Sequence, residues 1–390
     1  MRQRFNIQKL LTNGLSDPAF LDALAVEADE REQLLLHRKR IREGLKAGFK
    51  ALESENNAYA PDFGDIADLR PKFWTQGSVA YRTLNDPAHT PPQQIDLDDG
   101  VYFPMELVNG KPKAAKNALL NAVWLILESL CNEYGWELIK KPTCARITIN
   151  HRMHMDIPVY AIPYERYIVM KETLDAQSRM GTVNSSGTTL LDPNEVYLAM
   201  WDGKDEWIQS DPKELERWFK KEISIHGERL RRICRYLKGW RDYTWQKGGP
   251  SSIALMAGAA RALNDHMHET NSEFRTDCQA LLEVATRLPG IFSQQLMNPV
   301  GNSELFPNGL SAEEVADIQN GFTQLSNLVR NALCSSGTNQ EVVSLLQQCF
   351  GERIPSKPDW VSLISIAATV KSTPAEPQTK PKPSPSHRSA

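Results

Sequence analysis

No stretch of this sequence is apolar over the roughly 18 residues that a membrane-spanning helix requires. The longest apolar run, residues 118–130, is interrupted by Asn121, Glu128 and Ser129 and therefore predicts a buried helix. The first residues carry charge with no apolar stretch behind them, so a secretory signal is not expected. These absences favour a soluble cytoplasmic protein that makes no membrane contact.

The sequence also lacks paired cysteines and an excess of basic residues. Its six cysteines are scattered, and none has a second cysteine or a histidine at metal-ligand spacing, so neither a zinc site nor a disulfide framework is expected. The chain has 45 Lys and Arg against 48 Asp and Glu, a formal net charge of −3. Proteins that bind long nucleic acids usually carry a basic excess. The composition therefore favours small charged substrates and no nucleic-acid partner.

Three regions with different sequence patterns follow one another along the chain, and together they predict an α+β fold. Residues 17–55 are predicted to be helical, with Asp17 as the cap and Pro18 in the first turn. Short β-rich runs between residues 61 and 208, separated by turns and one helix, indicate a sheet. Helical patterns begin near residue 211 and continue to about 370, with Leu230, Ile233 and Leu237 on one apolar face.

The first helical region carries a basic stripe beside an apolar one. Ile41, Leu45 and Phe49 repeat at helical spacing, and the basic stripe follows the same period: Arg38, Arg42 and Lys46. This stripe is either a solvated cationic face or a site for an anion or a regulator. The sequence leaves both interpretations open.

Two motifs in the β-rich region suggest phosphate and metal binding. Gly77-Ser78 follows a β-type run, and a glycine at a strand-to-helix turn lets the backbone approach a phosphate. Asp96 and Asp98 lie two residues apart in a predicted strand and therefore share one face. Carboxylates held this close repel one another and are best tolerated around a cation. Oxygen ligands suit Mg²⁺, with Mn²⁺ as a second possibility.

A third carboxylate completes the pattern. Asp156 opens an otherwise apolar strand, where a carboxylate is costly unless it is paired or bound to metal. Gly-Ser, then Asp-x-Asp 18 residues later, then a lone strand Asp 58 residues beyond is far more specific than any of its parts. Asp96, Asp98 and Asp156 are therefore predicted to be both the catalytic residues and the ligands of two metal ions that perform phosphoryl transfer.

These residues resemble the signature of the DNA polymerase β-like nucleotidyltransferases. The segments 73–78, 95–100, 156–163 and 248–253 are similar, more closely, to the cGAS/DncV-like nucleotidyltransferases, over about residues 1–370. The resemblance implies a nucleotidyltransferase core with a mixed sheet and a C-terminal helical lobe. It also implies that ATP and GTP are joined into 3′,3′-cyclic GMP–AMP, a second messenger of antiphage defence that switches on a downstream effector.

The resemblance divides the chain into four parts and assigns nucleotide contacts. Residues 1–60 would be N-terminal helices that pack on both lobes, and 61–210 the catalytic core. Residues 211–372 would be a helical lobe that closes the nucleotide cleft, and 373–390 a disordered tail that a partner enzyme could act on. The residues implied to bind nucleotide are Gln76, Gly77, Ser78, Tyr81, Arg146, Ser210, Lys238 and Ser252.

Residue chemistry is consistent with two of these contacts. Lys238 lies on a predicted helix with four arginines, so one basic face could oppose a triphosphate, although a solvated basic face is the alternative. Ser252 follows a Gly-Gly-Pro break and could either bind phosphate or cap the next helix.

Three other functions remain open on the sequence. Another cyclic dinucleotide is a possible product, because the loop before residues 305–307 differs from the family pattern. A polynucleotide-tailing enzyme would use the same carboxylates, although the missing basic excess disfavours it. An inactive interaction protein could keep the fold, although the three intact aspartates speak against it.

Overall fold

The computed structural model describes residues 3–14, 17–54, 70–104, 112–165, 167–168, 196–201, 207–210, 212–301 and 303–364. Two regions hold separate apolar cores: a sheet with helices on one face, and a bundle of helices. The strands of the sheet region are β2 (Lys72–Gln76), β3 (Ile95–Pro104), β4 (Glu137–Lys140), β5 (Ala145–Thr148), β6 (Met153–Ile157), β7 (Val159–Ile162), β8 (Tyr197–Ala199) and β9 (Ile208–Gln209).

The sheet is mixed, and β3 is its central strand. One edge of β3 pairs antiparallel with β2, while the other edge pairs in parallel with β6 and then with β7. Strands β4 and β5 extend the sheet beyond β6, and β8 and β9 extend it beyond β7. This confirms the α+β nucleotidyltransferase fold with its mixed sheet.

Two long helices cover one face of the sheet, which is called the back face here. They are α3 (Ala28–Ser54) and α5 (Pro112–Tyr134), and the short helix α4 (Gly77–Tyr81) follows β2. Ile41, Leu45 and Phe49 of α3 are almost fully buried with Leu97 and Val101 of β3, as expected for an apolar stripe on a helix that packs on a sheet.

The second region is the C-terminal helical lobe. Its helices are α6 (Pro212–His226), α7 (Glu228–Thr244), α8 (Ser252–Thr270), α9 (Asp277–Phe292), α10 (Ala312–Arg330) and α11 (Asn339–Phe350). Two small strand pairs flank it, namely β1 (Phe5–Asn6) with β12 (Ser362–Leu363), and β10 (Leu296–Met297) with β11 (Glu304–Phe306). Leu230, Ile233 and Leu237 lie fully inside its core, as their spacing predicts.

The single helix predicted over residues 17–55 is wrong in its first part. The structure has α1 (Gln8–Leu11), α2 (Phe20–Ala23) and only then α3. Asp17 is not a cap, because the N-cap residue of α2 is Ala19, and the Asp17 carboxylate instead pairs with Nζ of Lys357 at 3.0 Å. The break has a packing cause: Phe20 and Leu24 enter the core of the helical lobe, whereas α3 packs on the sheet, and one straight helix cannot serve both.

Within the described residues, none of the helices is both long enough and apolar enough to cross a bilayer. The tail at 373–390 lies outside those residues. The boundaries of the four predicted segments stay a prediction.

Candidate active site

The register of three strands gathers the predicted carboxylates on one face of the sheet. Asp96 lies beside His154, and Asp98 beside Asp156, across the parallel pairing of β3 with β6. Arg146 on β5 is the antiparallel neighbour of Asp156. Since residues in register share a face, all five side chains stand on the side of the sheet opposite α3 and α5. This side is called the front face below.

Gly77 brings the first turn of α4 against this carboxylate group. Its φ of +62° lies in the left-handed region, and a Cβ built on it would lie 1.9 Å from Oδ2 of Asp98. Glycine is therefore required for two independent reasons, the backbone conformation and the missing side chain. Ser78 follows with its Oγ 3.5 Å from the carbonyl oxygen of Asp96. The Gly-Ser motif and the Asp-x-Asp motif thus meet in space.

The surroundings of Asp98 disfavour its ionised form. Burial raises its pKa well above the usual value, and the negative charges of Asp96 and Asp156 raise that pKa further. The positive charges of Lys238 and Arg146 oppose the shift without cancelling it. A carboxylate whose ionised form is this disfavoured gains most from a bound cation.

Arg146 holds Asp156 through two hydrogen bonds. Its Nε donates to Oδ1 at 2.7 Å and its Nη2 donates to Oδ2 at 2.8 Å. A bidentate pair of this kind fixes the orientation of the carboxylate. Each carboxylate oxygen keeps a second lone pair, so Asp156 can still bind a cation. The predicted base contact of Arg146 stays a prediction.

His154 is the member of this face that the sequence motifs missed. Single ligand atoms of Asp96, His154 and Asp156 all lie within 4.8 Å of one another. Asp96 Oδ1 and His154 Nε2 are buried 3.0 Å apart, yet neither has a hydrogen-bond partner among the described residues. These donor atoms fit a divalent cation. The spacing His154-x-Asp156 was the available signal, because i and i+2 share a strand face.

Lys238 reaches the interface between the two regions from α7. Its Nζ is buried and donates to the carbonyl oxygen of Thr83 at 2.7 Å. Burial and, to a lesser extent, the charge of neighbouring Arg241 lower the pKa of this ammonium group to about 8, against the raising effect of Asp242 and Asp96. Its positive charge also acts on Asp98. Lys238 therefore places a positive charge close enough to the front-face carboxylates to act on them.

The basic helix face predicted around Lys238 is not a free anion surface. Each arginine of α7 with a described contact bonds to protein instead. Arg231 donates to the carbonyl oxygen of Tyr81, Arg232 grips Asp277 through both carboxylate oxygens, Arg235 donates to Asn85, and Arg241 donates to Asp242 and Ser252. These contacts join α7 to α4, to the segment after α4, to α8 and to α9 rather than leaving four charges for a triphosphate.

Gln76 and Tyr81 lie at either end of the Gly-Ser motif. The Gln76 amide donates to the Tyr102 hydroxyl at 2.8 Å and accepts from Tyr160 at 3.2 Å. Gly100 leaves room for this amide, because a Cβ there would lie 2.2 Å from Gln76 Nε2. The Tyr81 ring is buried against Phe219 at 5.9 Å. Gln76 is the cross-strand neighbour of Asp98 on β3. The nucleotide contacts of Gln76 and Tyr81 stay predictions.

The two predicted serines lie farther along the chain. Ser210 follows β9, and its backbone N–H donates to the carbonyl oxygen of Val196 at 3.0 Å. Ser252 is the first residue of α8, and its hydroxyl accepts from Arg241 at 3.0 Å. The capping role falls to Ser251, whose hydroxyl accepts from Ala254 N–H. Of the two roles predicted for Ser252, helix cap or phosphate ligand, the structure excludes the cap.

The basic stripe of α3 faces the back of the sheet. Arg42 donates to both carboxylate oxygens of Asp99, and Arg38 and Arg42 both donate to the Thr75 hydroxyl. Lys46 is exposed, with Nζ 5.7 Å from the centre of the Phe73 ring. Lys46 is therefore exposed to solvent, as the first interpretation expects. The two arginines are not, because their hydrogen bonds join α3 to β2 and β3.

Comparison with known proteins identifies the family. Residues 71–160 match the family model "Cyclic GMP-AMP synthase DncV-like, nucleotidyltransferase domain", and residues 227–362 match "Cyclic GMP-AMP synthase, C-terminal domain". The cyclic GMP-AMP synthase of Vibrio cholerae serotype O1 is 33% identical over 336 residues, which cover 82% of this chain and 75% of that protein. The enzyme of the same name from Escherichia coli strain TW11681 is 32% identical over 337 residues, covering 82% and 75%.

Solved structures agree with these relatives. Vibrio cholerae DncV in complex with the linear intermediate 5′ pppA(3′,5′)pG superposes with a TM-score of 0.77 at 28% identity. The same enzyme in complex with GTP and 5MTHFGLU2 gives a TM-score of 0.78 at 28% identity. Both alignments cover 93% of this chain and 100% of the other. The chain therefore belongs to the DncV-like nucleotidyltransferase family and is a nucleotidyltransferase.

Proposed function

We propose that this protein joins ATP and GTP into 3′,3′-cyclic GMP–AMP by two successive nucleotidyl transfers at one site. The relatives in Vibrio cholerae and Escherichia coli are named cyclic GMP-AMP synthases. A related enzyme of the same fold binds a linear A–G intermediate with a 3′,5′ linkage. Such an intermediate is what the first of two transfers would leave in the site.

The observation that carries the proposal is the group of three carboxylates beside the Gly77 turn. Asp96, Asp98 and Asp156 would hold divalent cations, Mg²⁺ or alternatively Mn²⁺, which neutralise phosphate charge and favour ionisation of an attacking hydroxyl when bound. The glycine at the edge of this group lets a phosphate chain approach the backbone without a side chain in the way. Buried Lys238 supplies positive charge from the other lobe.

A nucleotide would lie between the front face of the sheet and α7. Ser78 offers a hydroxyl donor at the edge of the carboxylate group, and Arg146 keeps Asp156 in a fixed orientation. Arg146 uses only two of its N–H donors on Asp156, so its remaining donors would contact a base while Asp156 stays held. Residues 211–372 would close over the substrates as the helical lobe of the cleft.

The test is to incubate the pure protein with Mg²⁺ and all four labelled nucleoside triphosphates, and to identify the products by mass spectrometry. The expected product is cyclic GMP–AMP that a 3′,5′-specific nuclease degrades completely. A different base composition would correct the substrates and leave the reaction intact. A linear product longer than two nucleotides would contradict cyclisation and favour the polynucleotide-tailing alternative.

The proposed product is a second messenger of antiphage defence in the cytoplasm, where ATP and GTP are available. It would act by binding a downstream effector protein. The tail at 373–390, which could be the target of a partner enzyme, lies outside the described residues. Expression of the protein in cells challenged with phage, with and without its neighbouring genes, would test this role.

A further inference from the structure

His154 occupies a position on the front face that the three-carboxylate pattern does not include. It lies on β6 two residues before Asp156 and is the cross-strand neighbour of Asp96. Strand alternation therefore directs its imidazole to the same side as both carboxylates. Its side chain is only 8% exposed. A buried imidazole between two acidic residues needs a chemical reason.

Hydrogen bonds to the neighbouring segment fix the orientation of this ring. Gln94 Nε2 donates to the carbonyl oxygen of Asn150 at 2.9 Å, which directs its Oε1 toward His154. That oxygen lies 3.1 Å from Nδ1 of the ring. An amide oxygen can only accept, so Nδ1 carries a proton. In the neutral form that a histidine takes as a metal ligand, Nε2 then offers its lone pair.

This lone pair faces a second acceptor. Nε2 lies 3.0 Å from Oδ1 of Asp96, both atoms are buried, and the contact is not aligned as a hydrogen bond. Two lone-pair atoms at this distance repel each other unless a cation lies against both. Ligand atoms around one octahedral ion at ~2.1 Å lie roughly 3 to 4.2 Å apart. Single ligand atoms of Asp96, His154 and Asp156 lie within 4.8 Å of one another, so they need to move together only slightly to reach these distances.

We propose that Nε2 of His154 binds metal directly, so that one cation site of this protein has two carboxylates and one imidazole. The inference rests on the proposed function only in requiring that the front face binds a divalent cation. Gln94 then acts as a positioning residue, since a hydrogen bond on the remote nitrogen fixes the tautomer of a ligating histidine.

The nitrogen ligand has a consequence for metal choice. Mg²⁺ strongly prefers oxygen ligands, whereas imidazole binds well to Mn²⁺ and other transition metals. A site with two carboxylates and one imidazole favours Mn²⁺ over Mg²⁺ more than an all-carboxylate site does. Asp98, whose Oδ2 lies against Gly77, is left for the neighbouring cation position.

Pulsed electron paramagnetic resonance on the full-length protein tests the proposal without nucleotide and without turnover. With Mn²⁺ bound, the wild type is expected to show the modulation of a directly bonded ¹⁴N nucleus. Growth on ¹⁵N-labelled histidine should replace this modulation by that of ¹⁵N, with no mutation and therefore no risk of misfolding.

Two matched variants locate the nitrogen. His154→Gln places an amide oxygen near the former Nε2, so Mn²⁺ should still bind while the nitrogen modulation disappears. Its Kd for Mn²⁺ should rise about tenfold, and its Kd for Mg²⁺ should change by less than about threefold. His151→Gln, an exposed histidine on the same hairpin, should leave all of these values unchanged.

Manganese bound to the wild type without nitrogen modulation would overturn the proposal while leaving the carboxylate site and the nucleotidyl transfer intact. Modulation that persists in His154→Gln would overturn it as well, because another nitrogen would then be the ligand. Nitrogen modulation in a protein that forms no cyclic dinucleotide would support the ligand and count against the proposed function alone.

Discussion

Neighbouring aspartates on the two faces of β3 have opposite electrostatic surroundings. Asp99 points to the back face, where Arg42 donates to both of its oxygens at 2.5 and 2.6 Å and Thr75 donates at 2.9 Å. Asp96 and Asp98 point to the front face, where Asp156 adds a third carboxylate and the pKa of Asp98 rises. The same residue type in consecutive positions is neutralised on one side and crowded on the other.

The difference separates a structural carboxylate from the proposed metal ligands. On the back face one arginine matches one aspartate, and the pair fastens α3 to the sheet. On the front face Arg146 binds only Asp156, and the negative charge that remains has no equally close partner among the described residues. A folded protein keeps such an imbalance where a cation or a substrate completes it.

The largest effect is expected on the front face. Replacing Asp96 and Asp98 together with alanine should lower cyclic dinucleotide formation at least ~10³-fold, because the cations lose their main ligands. Product formation is measured by mass spectrometry, and circular dichroism should show an unchanged fold. Cyclisation retained in the double variant would contradict the assignment of these carboxylates as metal ligands.

Gly77 should be the next most sensitive position, because it touches Asp98. Gly77→Ala places a Cβ where Oδ2 of Asp98 lies, and displacement of that carboxylate should reduce kcat/KM about 100-fold. Gly135→Ala is the matched control, since its φ is +70° with no atom within 4 Å of the added Cβ. Equal activity losses in the two variants would mean that backbone strain, and not the contact with Asp98, explains the effect.

On the back face, the expected change is in stability rather than in metal binding. Arg42→Met leaves Asp99 buried at 1% exposure without its cation, which should lower the free energy of unfolding by about 3 kcal/mol. Lys39→Met on the same helix removes only an exposed ion pair at 3.9 Å and should leave that free energy unchanged in denaturant titrations. Loss of Mn²⁺ affinity in the folded Arg42→Met protein would contradict the assignment of stability to the back face and of metal binding to the front face.

The smallest effect concerns the pH dependence of Lys238. Its pKa of about 8 means that the ammonium loses its proton as pH rises from 7 to 9. Nucleotide KM should therefore rise severalfold over this range, while Lys238→Met should bind weakly with a flat profile. A wild-type profile as flat as that of the variant would remove Lys238 from the binding site.

The lowered pKa of Lys238 also makes the free energy of unfolding depend on pH. Folding lowers the pKa of Lys238, so the native state releases this proton before the unfolded chain does. The lysine therefore destabilises the fold below pH 8, and this cost disappears as pH rises from about 8 toward 10.5. Lys238→Met should accordingly change the slope of unfolding free energy against pH in that window.

The sequence alone predicted the fold class and the common face of the carboxylates. Strand alternation was enough to place Asp96 and Asp98 on one face, and Gly77 could be assigned to a tight turn, because both depend on local backbone geometry. The apolar spacing of α7 likewise predicted its buried face. Such features repeat within a few residues and can be deduced without knowing what packs against them.

Only the tertiary structure decided which partners these residues meet. It broke the predicted first helix so that Phe20 and α3 could enter different cores, and it turned the arginines of α7 and α3 toward protein carboxylates and carbonyls. It also placed His154 beside Asp96, although 58 positions separate them in sequence. Registers between distant strands and the charges that face one another across lobes arise from packing, which no local pattern encodes.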